Sequence, residues 1–121
     1  MYLNRLTLIG FTGGDAETKT ANNGSIFTVL SVATKRSWKN ADGEWESRTE
    51  WHRCVAFGKL GEFAASLKKG AHVQVEGELR SREYDKDGVK HKVFDCRLES
   101  ILKLDRAARR DEPETGDYPD V

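Results

Sequence analysis

A chain of 121 residues and 13.7 kDa has room for one domain, one modest core and a short tail. With a hydrophobic share of 37% and a mean hydropathy of −0.68, no run approaches the roughly 20 apolar residues of a membrane span. Met1-Tyr2-Leu3-Asn4-Arg5 also lacks the basic-then-apolar pattern of a secretory signal, so a soluble, cytoplasmic protein is expected. The formal net charge of zero hides an asymmetry: residues 111–121 carry five carboxylates and no Lys or Arg, so residues 1–110 carry +5.

Residues 3–10 partly alternate and predict a strand, which Gly13-Gly14-Asp15 breaks. An extended piece over 16–21 ends at Asn22-Asn23-Gly24, whose residues accept the positive φ of a turn. Ser25 to Trp38 is a long β-rich run, Asp42-Gly43 a hairpin turn, and Thr49 to Phe57 the returning strand. From Lys59 to Lys69 the period changes. Leu60, Phe63, Ala64 and Leu67 fall on one face of a short helix, and Gly70 follows as a left-handed C-cap. Ala71 to Tyr84 alternates again with Val73, Val75 and Leu79 inward, and Asp87-Gly88 leads into a last strand where Phe94, Cys96 and Leu98 share a face. From Asp105 to Val121 the chain is charged, holds both prolines and predicts a disordered acidic tail.

One helix between the third and fourth of five strands is the order of an OB-fold, an all-β Greek-key barrel whose central strands and loops bind oligonucleotides. The expected domain is 1–104, with 105–121 as tail. Side chains two apart on a strand share a face. In the segment 51–57, His52, Cys54 and Ala56 suit the interior, which sends Trp51, Arg53, Val55 and Phe57 outward. Rings beside guanidinium groups suit nucleic acid: the rings stack on bases and the cations meet phosphates. Arg80, Arg82 and Tyr84 share the wet face of the fourth strand, although Glu76, Glu78 and Glu83 interrupt it. Trp38 stands beside Lys35, Arg36 and Lys39. Phe27, Phe63 and Phe94 are assigned to the core. Trp45, in the first hairpin loop, either stacks on a base or shields the turn.

The segments Thr49-Glu50-Trp51-His52-Arg53, Phe57-Gly58-Lys59-Leu60-Gly61-Glu62, Lys69-Gly70 and Val75-Glu76-Gly77-Glu78-Leu79-Arg80-Ser81-Arg82 closely resemble the bacterial single-stranded DNA-binding proteins. Asn4 to Gly10 is similar to that family's first strand, and Asn23-Gly24 to its first tight turn. The resemblance covers residues 1 to about 104. It implies an OB-fold, a homotetramer around which single-stranded DNA wraps, nucleoid association, and roles in replication, repair and recombination. It also implies base stacking at Trp38, Trp51, Phe57 and Tyr84, the last standing where the family usually has tryptophan. Lys35, Arg36, Arg53, Lys59, Arg80 and Arg82 are the expected phosphate contacts. The tail, ending Asp117-Tyr118-Pro119-Asp120-Val121, corresponds to the segment that docks on replication and repair enzymes, but it lacks the family's terminal Phe.

No enzyme, cofactor or metal is expected. Cys54 and Cys96 show no CxxC and no metal-ligand spacing to His52, His72 or His91, and read as two buried thiols more readily than as a disulfide. A thiol hydrolase built on Cys54 with His52 or His91 would lack an evident acid partner. A dimeric or RNA-preferring OB module and a protein-interaction barrel are the alternatives that stay open.

Overall fold

The computed structural model describes residues 1–105, and the expected partner-docking residues Asp117 to Val121 lie outside them. Gly13-Gly14 divides the first barrel strand into β1 (Leu6–Thr12) and β2 (Glu17–Thr20). Both halves run along one edge of β3 (Ile26–Lys39): Phe11 and Thr12 pair with Ala33 and Val32, then Glu17 to Thr20 pair with Val29 to Ile26. They therefore act as one bent strand. β4 (Trp45–Phe57), α1 (Gly58–Ala65), β5 (His72–Lys86) and β6 (Val89–Lys103) complete the chain.

The sheet order is β1-β5-β6-β4-β3-β2, and the added β1–β3 pairing closes it into a five-stranded barrel. The helix sits between the third and fourth barrel strands, as expected. Small and branched residues fill the inside: Leu30, Val32, Cys54, Ala56, Val73, Val75, Cys96 and Leu98 form the core, with Ala64 and Leu67 packed into it from the helix and the turn after it. The helix is shorter than its sequence period suggests, because Ser66 and Leu67 close tight turns onto Phe63 and Ala64. Two buried hydroxyls tie this segment to the barrel. Thr28 Oγ1 donates to the Gly61 carbonyl at 2.7 Å, and Thr12 Oγ1 donates to that of Lys68 at 2.6 Å. Both keep a buried polar group satisfied.

Both long hairpins run on past the barrel as two-stranded arms, with pairing continuing to Lys39↔Trp45 in one and Lys86↔Val89 in the other. This overturns several core assignments. Leu79, in register with Cys96, continues the inward parity at the rim where the second arm leaves the barrel, Phe94 lies beyond it in the arm, and they are 46% and 56% exposed. Phe63 leans off the outer side of the helix and is 41% exposed. Phe27 has the opposite parity to buried Thr28 and Leu30, and so faces outward. The returning strand begins at Trp45, not Thr49, which makes Trp45 a paired strand residue with an exposed ring. Asp105 remains attached: its carboxylate accepts the backbone N–H of His72 at 3.1 Å.

Gly77 marks the place where β5 and β6 change register. A Cβ there would collide with the Arg97 carbonyl, so the crossing requires glycine.

Candidate nucleic-acid interface

Because Cys54 and Ala56 face the core, Trp51, Arg53 and Phe57 face out, with Val55 on the same side but buried beneath its neighbours. β4 lies between β3 and β6, so its outer residues acquire neighbours from both sides. Phe27 pairs with Phe57 across the β3–β4 ladder, and the two rings meet at 5.4 Å, tilted by 32°. From β6, Arg97 stands in register with Val55 and lays its guanidinium 4.1 Å from the centre of the Phe57 ring. Arg80, Arg82 and Asp95 extend the surface across β6 to β5, and an open depression of about 350 Å³ runs between these groups.

Asp95 organises the cations. Its side chain is only 13% exposed and takes Arg53 Nη1 on one oxygen at 2.9 Å and Arg82 Nε on the other at 3.0 Å. One carboxylate thus links β4, β6 and β5 on the outer face. The Arg82 contact is a charge-assisted hydrogen bond that fixes one edge of its guanidinium and leaves its other N–H groups available, whereas Arg53 is held by ion pairing alone. Arg80 is held by Glu78 on its own strand, Nε to Oε1 at 2.6 Å.

The four expected rings do not share one plane. Trp51 and Phe57 lie on the outer face of the barrel. Tyr84 continues that face into the second arm, stacked on His91 at 5.1 Å. Trp38 has the parity of Leu30 and Val32, and so lies on the opposite side of the first arm from Trp51. There it lines a depression of about 390 Å³ with Arg36, Arg48 and Glu50, and the Arg36 guanidinium sits 5.8 Å from its ring. Lys35 is exposed on the outer side of the first arm, and Lys59 is exposed at the start of the helix, two residues after Phe57.

Sequence reasoning missed Phe27, Asp95 and Arg97. The parity of β6 carried a signal for Arg97, which lies between buried Cys96 and Leu98. Nothing in the linear sequence placed it on Phe57.

Cys54 is fully buried, and its pKa is raised above the ordinary thiol value, first by the hydrogen bond it shares with Cys96 and then by burial. A thiol shifted in that direction stays protonated at neutral pH and is a poor nucleophile. His52 is engaged elsewhere, its Nε2 lying 2.8 Å from Thr34 Oγ1, and His91 lies out on the second arm against Tyr84. Among the described residues no three His, Cys, Asp or Glu side chains cluster as metal ligands, and no helix is long and apolar enough to cross a membrane.

Residues 3–104 match the model of the Single-strand binding protein family. The chain belongs to that family. It is 48% identical over 89 residues to the single-stranded DNA-binding protein of Xanthomonas axonopodis pv. citri, covering 72% of this chain and 49% of the relative. Over the same length it is 47% identical to the protein of that name from Xanthomonas campestris pv. campestris, covering 72% of this chain and 52% of the relative. The chain spans about half the length of the curated relatives it matches. Its fold is similar to the SSB of Plasmodium falciparum in complex with ssDNA, with a TM-score of 0.77, 27% identity, and coverage of 87% of this chain and 97% of that one. It is also similar to a deletion mutant of the single-stranded DNA binding protein from Thermus aquaticus, with a TM-score of 0.71, 28% identity, and coverage of 85% and 51%.

In this family member Trp51 is seated on a glycine. The ring lies so close over Gly13 that a Cβ there would overlap it, yet the residue is 61% exposed, with its other side open. Gly13→Ala should unseat the ring. In a Trp38→Phe, Trp45→Phe background, Trp51 emission is expected to shift to the red with the fold retained by circular dichroism; an unchanged spectrum would contradict this seat.

Proposed function

We propose that this chain binds single-stranded DNA without sequence preference, and that the binding surface is the outer face of β3, β4, β6 and β5. The observation that carries the reading is the set of Trp51, Phe57 and Tyr84 standing out from a small-residue core, interleaved with Arg53, Arg82 and Arg97. Rings offer a stacking plane to any base, and cations track the phosphates, so the combination is tolerant of sequence. Trp38, on the reverse of the first arm, is a further stacking site reached when a strand bends around that arm. Lys35, Arg36, Lys59 and Arg80 supply the outer phosphate contacts. The names of the relatives and the bound ssDNA of the Plasmodium neighbour support the same reading.

The role is protection of single strands in replication, repair and recombination, in the cytoplasm, by binding without catalysis. The protected Cys54 thiol argues against the hydrolase alternative. Residues 1–104 form the binding domain and 105–121 an acidic tail that recruits partner proteins. The protein acts as a homotetramer, a reading supported by Ile9, Phe11 and Leu102, which remain exposed on the outer face of β1 and β6 around β5. A stable monomer in sedimentation at micromolar concentration would contradict the assembly.

Binding of oligo-dT should exceed that of duplex DNA of equal length and weaken with salt, with a log–log slope of about −0.7 for each phosphate neutralised. Trp51→Ala should lose about 1–3 kcal/mol of binding, roughly 5- to 150-fold in affinity. Equal affinity for duplex, or full affinity in the variant, would count against the reading. Tighter binding of an RNA oligomer would replace DNA by RNA as the ligand.

A further inference from the structure

Around the central depression stand four arginines, and three are already engaged. Arg53 and Arg82 share Asp95, and Arg80 is held by Glu78. Arg97 differs. Among the described residues no carboxylate pairs with it, and its guanidinium lies 4.1 Å above the centre of the Phe57 ring. Phe27 supports Phe57 in turn. Arg97 is partly buried and lines the open depression beside Phe57, so a strand lying in that depression can reach its guanidinium.

A guanidinium is planar, delocalised and weakly hydrated, so one of its faces can rest on an aromatic ring while the other receives a base. An ammonium group has no such plane. The arrangement also bears on Phe57, because a base approaching that ring from above meets Arg97 first.

We propose that Arg97 is a base-stacking residue, with a nucleobase packing on its outer guanidinium face to make a three-layer stack over Phe57. The proposal rests on the single-stranded DNA reading above and adds a residue that parity alone does not single out. Phe57 then acts largely through Arg97, as the surface that holds the guanidinium flat.

The test compares the full chain with its Arg97→Lys variant, using oligo-dT and an abasic deoxyribose-phosphate oligomer of the same length across a range of salt. Lysine keeps the charge and removes the plane. The variant is expected to bind oligo-dT roughly five- to tenfold more weakly, the lower part of the range for losing one stacked base, with an unchanged salt slope. Binding of the abasic oligomer, which presents phosphates without bases, should not change. Wild-type affinity of the lysine variant for oligo-dT would overturn the proposal, since a point charge would then suffice. An equal loss on both oligomers would also overturn it, by making Arg97 a phosphate contact. Failure of the wild-type chain itself to bind oligo-dT would instead refute the underlying reading, and the proposal with it.

Discussion

The parallel contact between β4 and β6 is only two register pairs wide, Cys54↔Cys96 and Val55↔Arg97, yet the proposed binding face depends on it. Its inner pair consists of two buried thiols, small enough to bring the strands together within the core, and the hydrogen bond between them together with burial keeps Cys54 protonated. Its outer pair follows from strand parity. Once Cys54 and Cys96 face inward, Val55 and Arg97 must face outward, side by side. This contact places Arg97 on Phe57 and brings Asp95 within reach of Arg53. Without it the rings of β4 and the cations of β5 and β6 would belong to separate ribbons.

The electrostatics of the face are more restrained than a count of its arginines suggests. Asp95 takes one charge from the Arg53–Arg82 pair, and Glu78 offsets Arg80. The consequence of these pairs for binding lies in where they point the guanidinium groups. The face is left with rings and oriented N–H edges at its centre and exposed lysines toward its margins. Such a surface gains affinity from base stacking as well as from phosphate contacts, whereas a duplex, whose bases are already stacked, offers only the second.

Much of the fold was legible in the sequence because alternation and turn residues act locally. The Gly13-Gly14 break, the two Asp-Gly turns and the change of period at the helix lie where the structure has its bend, hairpins and α1. What alternation could not convey was how far the barrel reaches along each strand. Leu79 and Phe94 obey the inward parity and are nevertheless exposed, because the barrel ends at Leu79 and Phe94 lies in the arm beyond it. The outward ring-and-arginine set of β4 was legible for the same local reason. The contacts of Arg97 with Phe57 and of Asp95 with Arg53 were not, since they depend on a parallel pairing between strands separated by the helix and all of β5.

The central claim is that a single strand lies on the outer face of β3, β4, β6 and β5. Photocrosslinking of oligo-dT substituted with 5-iodouracil, followed by mapping of the modified peptides by mass spectrometry, tests it most directly. The account predicts adducts at Trp51 and Tyr84, with Trp38 joining only for oligomers long enough to round the first arm. Adducts confined to Ile9, Phe11 or other residues on the outer side of β1 would place the strand on the opposite surface and contradict it.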